Sequence, residues 1–519
     1  MSLNSDVIVI GAGIGGLATA LRLAHAGLSV RVLERHATPG GKIRTVPSSA
    51  GPVDAGPTVL TMKHVFDQLF ADVGEQLSDH VTLHPLPTLA RHYWRDGTCL
   101  DLMPDISQSI ANITQALGDD AARDYARFAK LSERLFKAFD APMMQAATPS
   151  MATLTAKVLS RTGLIKDMTP HMSLDRALSR HFKDPRLAQL FGRYATYVGG
   201  SPKGSPAILS LIAHAEAAGV WRVEGGFHTL PRAIEALATR RGASFLYGTD
   251  VQDVKKEGAD FVVNTQYETF TANQIVFNGD PRALQTGALG ADLKSAVAQK
   301  SVEPRSLSAA VLSFAARATG PSLAHHTVFF GDTPNAEFDA LHEGRLPTDA
   351  TLYVCAEDQG CIHPNTTEER FEIILNAPAG LTQTVQEKHA CLTYILQRLR
   401  QFGLTFDPIP KADALTMPAD FDQMFPASQG ALYGRSPAGM TAAFKRPTAR
   451  TRVPGLYLTG GGAHPGAGVP MATLSARHAV AAIMADRTSQ SKLVPTDTPG
   501  GTSTGSAMTA PKPSPSSAL

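Results

Sequence analysis

The chain has 519 residues, more than a single hydrophobic core usually supports, so we expect more than one domain. Its net charge of +2, with scattered Lys and Arg residues, gives no reason to expect a nucleic-acid partner. The four cysteines are too few for a disulfide framework and none forms a CxxC pair, so we predict a reducing, cytoplasmic location and no metal site.

The N-terminal segment MSLNSDVIVIG leads directly into a predicted strand. It lacks the basic region and the long apolar region of a secretory signal. No apolar run reaches the roughly 18 residues that indicate a membrane span. Any contact with a membrane is therefore expected to be peripheral.

Residues 6–35, DVIVIGAGIGGLATALRLAHAGLSVRVLER, predict a buried strand, a helix that stops at Gly27, and a second strand that ends at Glu34. The turn before the helix has glycines in GxGxxG spacing and one glycine more: Gly11, Gly13, Gly15 and Gly16. Such glycines let the backbone approach a pyrophosphate, and the helix N-terminus supplies N–H donors. The segment predicts dinucleotide binding, with Glu34 accepting from ribose hydroxyls; a plain glycine-rich turn is the alternative.

A second loop of glycines and cations follows, in HATPGGKIRT. Its residues Gly41, Lys42 and Arg44, with the preceding Arg35, are expected near the pyrophosphate unless they form a solvated basic turn. NAD is not expected, because only one such fingerprint is visible. The arrangement resembles the flavoprotein class that includes amine oxidases, carotenoid desaturases and Rab GDP-dissociation inhibitors (GDI), and this resemblance implies FAD.

Later segments follow the order of that class. GGFHTLPRAIEALATRRGASFLYGTDVQDV predicts a helix and a strand reaching Val251, and two further strands lead to Asp280. The resemblance implies that Val251 and Asp280 contact the cofactor. A terminal strand, GLYL, then enters the loop TGGGAHPGAGVPMA at residues 459–472, whose glycines allow close approach to a flavin.

Three segments carry a closer resemblance, to the phytoene-desaturase-like carotenoid oxidoreductases: GPVDAGPTVLTM, YVGGSPKGSPAILSLIAHAEAAGVWRVEGGF and GGGAHPGAGVPMA. Within that family, ARHYWRDGTCLDL and LYVCAEDQG are most similar to the acyclic 1-hydroxycarotenoid 3,4-desaturases. The resemblance implies further cofactor contacts at Gly56, Pro57, Thr58, Gly461, Gly462, Met471 and Ala472.

The resemblance also implies the fold class. We expect an α/β protein with a Rossmann-like FAD-binding domain of the amine-oxidase/GDI type, an inserted α+β substrate domain, and a helical, membrane-contacting region. In chain order, the expected parts are FAD binding (1–102), helical region (103–215), FAD binding (216–282), substrate domain (283–430), FAD binding (431–486) and a tail (487–519). The tail is mostly Ser, Thr, Pro and Gly without aromatic residues, so we predict that it is disordered.

The implied reaction introduces a C3–C4 double bond into a 1-hydroxylated acyclic carotenoid such as 1-hydroxyneurosporene. A hydride leaves to the flavin and a proton is lost, at the inner membrane surface, with oxygen or a quinone as electron acceptor. A phytoene-type multi-step desaturase, a carotenoid cis-trans isomerase and an amine oxidase are the enzymatic alternatives. A GDI-like lipid-binding module is the non-enzymatic alternative, disfavoured because the cofactor glycines, Glu34 and the GGKIR loop are all present.

An apolar tunnel ending at the flavin is expected, with one polar partner for the substrate hydroxyl, since an unpaired buried hydroxyl is costly. His464 and Asp54 are candidates for the base that takes the proton. The structural alternatives are orientation of a loop by His464 and anchoring of a turn by Asp54. Arg91 and His92 are candidates for the tunnel entrance or the hydroxyl partner, with packing as the alternative.

Residues 149–168, PSMATLTAKVLSRTGLIKDM, carry apolar residues among Lys and Arg. This pattern suits an interfacial helix that admits a water-insoluble substrate. A packed surface helix is the alternative.

Overall fold

A computed structural model of the protein describes residues 4–160, 162–361 and 367–493. In these ranges the strands are β1 (Asn4–Ile10), β2 (Val30–Leu33), β3 (Thr45–Val46), β4 (Val53–Asp54), β5 (Leu83–Pro85), β6 (Ala90–Tyr93), β7 (Cys99–Leu102), β8 (Trp221–Val223), β9 (Ser244–Leu246), β10 (Val251–Glu257), β11 (Asp260–Thr265), β12 (Thr269–Phe277), β13 (Ser308–Thr319), β14 (His326–Phe329), β15 (Leu352–Ala356), β16 (Glu369–Ala377), β17 (Thr405–Asp407), β18 (Leu415–Thr416) and β19 (Leu456–Leu458).

The α-helices in the same ranges are α1 (Ile14–His25), α2 (Lys63–Ala71), α3 (Ile106–Leu117), α4 (Asp119–Phe139), α5 (Met151–Leu159), α6 (Thr162–Met168), α7 (Leu174–His181), α8 (Pro185–Gly192), α9 (Ile212–Ala217), α10 (Thr229–Arg240), α11 (Pro281–Thr286), α12 (Pro334–His342), α13 (Val385–Arg400), α14 (Pro418–Met424), α15 (Ala442–Lys445) and α16 (Val469–Leu493). A π-helical turn, Asp140–Met144, follows α4.

The first sheet is built on a parallel core. Its path is β10-β11-β12-β1-β2-β9, with β19 pairing the end of β12. Five strands pair in parallel in the order β19-β12-β1-β2-β9. β10 and β11 extend the sheet from β12 as an antiparallel meander. Val7 and Val9 of β1 pack on the side of α1, α10 and α16, and Ile8 and Ile10 pack on the other side. Burial on both faces explains why this strand reads as an unbroken apolar run.

The second sheet is mixed and alternates cleanly between its faces. Its path is β17-β13-β16-β15-β14-β6-β7, with β18 also pairing β13. Leu312, Val354 and Ile373 pack on one face with α13. Tyr353 and Ile374, one residue out of step, lie on the opposite face. That face therefore remains available for a site.

Helices between α3 and α9 pack against part of the second sheet. Phe128 of α4 and Phe191 of α8 pack with Tyr194 and with Val328 and Phe330 of the second sheet. None of the helices in the described part of the chain is long and apolar enough to cross a membrane.

Two expected boundaries differ from the structure. β6 and β7 belong to the second sheet, because β6 pairs parallel with β14 and extends its edge. The first part of the cofactor domain therefore ends before residue 90, not at residue 102. The expected strand up to Val251 is also two strands, since β9 ends at Leu246 and β10 begins at Val251.

The C-terminal helix and the segment expected to form an interfacial helix also differ from their predicted bounds. α16 continues to Leu493, past the expected start of the tail at residue 487, and Arg487 donates to Asp6 Oδ1 (3.1 Å) beside β1. Residues 494–519 of the expected tail lie outside the described residues. The segment 149–168 is two short helices, α5 and α6, instead of one.

Candidate active site

The glycine turn after β1 is closely packed, at the carboxyl ends of the parallel strands. A Cβ on Gly16 would lie 2.1 Å from the carbonyl oxygen of Gly11, and one on Gly15 would lie 2.7 Å from the backbone nitrogen of Gly460. Gly11 has a φ of +100°, which L side chains rarely adopt. Side chains are thus excluded at Gly11, Gly15 and Gly16, and α1 begins at Ile14 within this turn.

Asn278, just after β12, joins the N-terminal and C-terminal glycine loops. Its Nδ2 donates to the carbonyl oxygen of Gly11 (3.0 Å), and its Oδ1 would lie 2.6 Å from a Cβ on Gly460. Sequence reasoning missed this residue. The available signal was a polar side chain directly after a buried strand, where open α/β sheets place their ligand contacts.

Glu34 is buried at the end of β2 and fixes two backbone groups. Its Oε2 accepts from the N–H of Ala12 (2.6 Å) and its Oε1 from the N–H of His36 (2.8 Å). Each oxygen keeps a further lone pair for a ribose hydroxyl. Arg35 lies 3.6 Å from Asp250, measured from Nε to Oδ1, and its Nη1 is buried without a hydrogen-bond partner.

The second glycine loop packs against the first. The N–H of Gly40 donates to the carbonyl oxygen of Ala12 (2.8 Å), and a Cβ on Gly41 would lie 3.0 Å from the Cα of Gly13. The two loops therefore form one glycine-lined surface from segments that are distant in sequence.

Two cations beside this surface lack a full set of partners. Lys42 Nζ donates to the carbonyl oxygen of Leu432 (2.5 Å), and burial lowers the pKa of Lys42 to about 8, against the attraction of Asp280. Arg44 donates to Thr416 Oγ1 (2.8 Å), and its Nε is buried without a partner. Excluded side chains, a helix N-terminus and incompletely paired cations together fit a dinucleotide cofactor.

Three further residues predicted to contact the cofactor, Asp280, Val251 and Gly56, are held by contacts within the fold. Asp280 caps the N-terminus of α11 and forms a buried ion pair with Arg305. Val251 is buried at the start of β10. A Cβ on Gly56 would lie 2.0 Å from a carbonyl oxygen of the second glycine loop, so this position excludes a side chain as well.

An apolar cavity of about 470 Å³ lies between the C-terminal loop and the second sheet. Pro57, Thr58 and Met471 line it on the side of the first sheet, and Tyr353 and Ile374 on the other. Its wall is mostly apolar, and its polar side chains are Thr58, Thr61, Arg193, Thr196, Tyr197, Thr351, Tyr353, Asn376, Tyr433, Arg446 and His464.

Three predicted residues of the C-terminal loop lie behind this wall. The carbonyl oxygen of Gly461 accepts from Arg446 (2.9 Å), and a Cβ on Gly462 would lie 2.4 Å from Pro281 Cδ. Ala472 is buried in the first turn of α16. The loop is therefore held by the first sheet on one side and faces the apolar cavity on the other.

His464 lines the apolar cavity, but its ring is engaged in holding the loop. Its Nε2 lies 2.8 Å from the carbonyl oxygen of Ala146, to which it can donate only as N–H. His478 makes the equivalent bond to Met144 (3.1 Å). Burial lowers the pKa of both imidazoles. The contacts support the orienting role of His464 over the role of base.

Asp54 lies outside the apolar cavity, on a second, polar cavity of about 390 Å³. Its carboxylate accepts from the N–H groups of Phe227 (2.6 Å) and His228 (3.4 Å), as a turn anchor does. Its own N–H donates to Glu357 Oε1 (2.7 Å). Burial raises the pKa of Asp54, and burial with repulsion from Asp54 raises the pKa of Glu357 to about 8.

Arg91 and His92 do not line the apolar cavity. Arg91 makes a bidentate ion pair with Asp101 on the neighbouring strand (both contacts 2.7 Å). His92 is fully buried, with Nδ1 3.1 Å from the carbonyl oxygen of Leu100, and burial lowers its pKa to about 3. Alternation along β6 turns these two side chains to opposite faces, and both fill packing roles.

A charged network that sequence reasoning missed does line the cavity. Arg193 donates to the hydroxyl of Tyr197 (3.0 Å), which donates to Glu216 Oε2 (2.8 Å). Tyr194 donates to the other carboxylate oxygen (2.6 Å). Arg193 is 8% exposed, and its Nε is buried without a partner. The apolar and aromatic residues around Arg193 are typical of a core and of a substrate wall alike, so the sequence does not single out the arginine.

The second sheet also brings Cys355 next to the adjacent pair His325 and His326, which is distant from it in the sequence. One ligand atom from each of His325, His326 and Cys355 lies within 4.8 Å of the others. His326 Nδ1 is hydrogen-bonded to Tyr353, and burial raises the pKa of the Cys355 thiol well above its usual range. We therefore interpret the group as a neutral hydrogen-bonding cluster and not as metal ligands.

Comparisons with known proteins agree with this geometry. The family of flavin-containing amine oxidoreductases matches residues 14–484. The chain is 51% identical to a hydroxyneurosporene desaturase of Cereibacter sphaeroides, over 94% of this chain and 99% of the relative, and 47% identical to one of Rhodobacter capsulatus, over 95% and 100%. A redesigned putrescine oxidase has the same fold, with a TM-score of 0.59 at 13% identity, over 94% of this chain and 100% of the other.

Proposed function

The chain belongs to the family of flavin-containing amine oxidoreductases and is a flavin-dependent oxidoreductase; on that premise we propose that it is an FAD-dependent 3,4-desaturase of 1-hydroxylated acyclic carotenoids. The observation that carries the proposal is the apolar cavity. Its wall is mostly apolar, as a hydrocarbon substrate requires, and it is lined also by residues of the C-terminal glycine loop and of the charged network. The similarity to hydroxyneurosporene desaturases supplies the substrate class.

The glycine surface is the proposed FAD site. The N-terminus of α1 and the cations Lys42 and Arg44 would hold the diphosphate, and Glu34 would accept from the ribose hydroxyls. The loop before α16, with Pro57 and Thr58, would border the flavin at the apolar cavity. When bound, the flavin supplies the hydride acceptor.

The charged network of Arg193, Tyr197 and Glu216 is the proposed partner of the substrate hydroxyl. Arg193 and Tyr197 line the cavity, and Glu216 holds Tyr197 from behind. A tertiary alcohol can accept from the guanidinium and so avoid burial without a partner, which costs about 1–3 kcal/mol. The polyene would extend from there along the apolar wall, so that position and not a strong catalytic group governs the reaction.

The two helices α5 and α6, which border the apolar cavity, support peripheral binding to a membrane. Leu154 of α5 and Met168 of α6 line the cavity. On the same two helices Met151, Leu159 and Ile165 are 50%, 64% and 40% exposed. Such apolar side chains can enter the acyl boundary of a bilayer, where the substrate is dissolved. We propose contact with the inner membrane, and oxygen or a quinone as the electron acceptor.

The test is an assay of FAD-loaded protein in liposomes, with 1-hydroxyneurosporene and phytoene offered separately. We expect the hydroxylated substrate alone to lose two hydrogens and to shift its absorption to longer wavelength. Turnover of phytoene would favour the multi-step desaturase. Isomerisation without a change of mass would favour the cis-trans isomerase, and protein that binds lipid but no flavin would favour the GDI-like module.

A further inference from the structure

The apolar and polar cavities share a wall, and that wall contains a chain of hydrogen bonds. Thr58 lines both cavities. We propose that Tyr353 and His326, with Thr58 orienting the tyrosine hydroxyl, form a relay that carries the proton released on double-bond formation from the apolar cavity towards the polar cavity. This inference rests on the desaturase function proposed above.

The relay has continuous geometry. Thr58 Oγ1 lies 2.7 Å from the hydroxyl of Tyr353, and that hydroxyl lies 2.7 Å from His326 Nδ1. Thr58 and Tyr353 line the apolar cavity, whereas His326 is buried behind them. With Thr58 donating to Tyr353 and Tyr353 donating to His326, the tyrosine oxygen keeps a lone pair for a proton from the cavity.

The second sheet explains why the groups meet. His326 pairs directly with Cys355 across β14 and β15, and Tyr353 lies two residues before Cys355. Alternation along each strand therefore places the three side chains on the same face of the sheet. Thr58 lies in the segment after β4 and reaches the hydroxyl of Tyr353 from the side of the first sheet.

The chemistry of desaturation matches this chain. The first C–H bond breaks with its electron pair, and the hydrogen leaves as hydride to the flavin. The electron pair of the neighbouring C–H bond becomes the new π bond, and its hydrogen leaves as a proton to the oxygen of Tyr353. The proton of Tyr353 passes at the same time to His326 Nδ1, so the tyrosine stays neutral and the imidazole becomes charged.

A weak base is sufficient for this step. Hydride loss leaves a carbocation whose adjacent C–H bonds are strongly acidic, so the proton needs a route more than a strong acceptor. Burial, together with the charges of His325 and Arg193, holds the pKa of His326 well below its usual value. The imidazole is therefore neutral and ready to accept before turnover, and it releases the proton readily afterwards.

The polar cavity lies beyond His326. His326 Nε2 and His325 Nδ1 are both buried without a hydrogen-bond partner among the described residues, so a ring movement must join them for onward transfer. The rings of His326 and His325 are 4.6 Å apart between centroids, and His325 lines the polar cavity with Asp54 and Glu357. Glu357, with a pKa raised to about 8, can exchange a proton near neutral pH. The cavity reaches the surface at the exposed residue Glu224.

Tyr353→Phe tests the relay, with Tyr93→Phe as the matched control. Tyr93 lies on the same sheet, and its hydroxyl donates to a backbone carbonyl outside the cavity. In single turnovers of the FAD-loaded protein with 1-hydroxyneurosporene, we expect Tyr353→Phe to slow product formation about 100-fold, the scale of general acid–base catalysis. The rate in D₂O should be lower than in H₂O for the wild type and for Tyr93→Phe, and this difference should vanish in Tyr353→Phe.

Two further measurements separate a relay from a structural role. Flavin content and melting temperature should match those of Tyr93→Phe, and ¹⁵N NMR should show His326 as the Nε2–H tautomer in the wild type but not in Tyr353→Phe. Should Tyr353→Phe fail to fold, Thr58→Val removes the hydrogen bond that orients the Tyr353 hydroxyl with little change of shape, and it should slow product formation as well. Wild-type rates and isotope effects in the folded variant would overturn the relay alone. A wild type that desaturates no hydroxylated carotenoid would overturn the proposed function, and the relay with it.

Discussion

The two sheets build their parts of the site by opposite means. The first sheet offers backbone: closely packed glycines, a helix N-terminus, and the buried carboxylate of Glu34 that fixes main-chain N–H groups. The second sheet offers side chains, Tyr353 and His326, on a face that alternation leaves free of α13. A site made of backbone tolerates almost no added atom, whereas a site made of side chains changes in graded steps.

The largest effect is expected for Gly16→Ala in the first sheet. Its Cβ would lie 2.1 Å from the carbonyl oxygen of Gly11, so the turn must move. We expect flavin affinity to fall at least about 100-fold, or ~2.7 kcal/mol, measured by equilibrium dialysis. Gly27→Ala is the control, because Gly27 ends the same helix at φ +85° with no atom within 4 Å of the added Cβ. It should cost about 1 kcal/mol of stability and keep the flavin; equal flavin loss in both variants would contradict the comparison.

A graded effect is expected for Tyr197→Phe beside the second sheet. The change removes the hydroxyl that joins Arg193 to Glu216 at the cavity wall. We expect the preference for hydroxylated over unhydroxylated substrate, as the ratio of kcat/KM, to fall about 10-fold, or ~1.4 kcal/mol. Tyr194→Phe removes the other hydrogen bond to Glu216 without touching the cavity wall, and should keep the preference. The same loss in both variants would mean that Glu216 acts only through stability.

Carboxylates buried between the two sheets give a pH effect. The pKa of Glu357 is about 8, against 4.5 for the unperturbed group, so between these values the folded state binds more protons than the unfolded state. Stability should therefore fall as the pH rises through this window. Melting temperatures measured from about pH 5 to about pH 8.5 should fall less steeply with rising pH for Glu357→Gln than for the wild type. Glu224→Gln, at the exposed rim of the polar cavity, is the control, and a wild-type slope in Glu357→Gln would contradict the assignment.

A further effect is expected on α5, which borders the apolar cavity. Leu159 is 64% exposed on α5, and burial of a leucine side chain in lipid is worth about 1.5–3 kcal/mol. We expect Leu159→Ser to weaken cosedimentation with liposomes about 10-fold or more. Val385→Ser, at an equally exposed apolar site on α13, should have no effect. Equal binding of both variants and the wild type would remove the proposed membrane contact.

The cofactor half could be predicted from the sequence because its determinants are local. The spacing of Gly11, Gly13 and Gly16 specifies a turn between a strand and a helix, and the structure confirms β1, α1 and β2 around it. Asn278 escaped prediction because its role depends on two loops that meet only in the folded sheet.

The substrate half was harder to predict because its determinants are distant in sequence. Thr58 and Tyr353 are almost three hundred residues apart, and no spacing announces their hydrogen bond. Arg91 and His92 lie in a segment that carries the family resemblance. Because β6 pairs with β14 in the second sheet, their side chains contact neighbouring residues of the fold and do not line the apolar cavity. Arg193 lies among aromatic residues whose pattern suits a core as well as a substrate wall, and its role is visible only in the fold, where Tyr197 joins it to Glu216 at the cavity.

In the proposed reaction, a flavin takes two electrons from a hydroxylated carotenoid bound in the apolar cavity. This can be measured by mixing the FAD-loaded protein with equimolar 1-hydroxyneurosporene in liposomes without oxygen and following flavin absorbance and product mass together. We expect one flavin to be bleached for each molecule that loses two hydrogens. A product that gains oxygen, or one that isomerises at constant mass while the flavin stays oxidised, would contradict it.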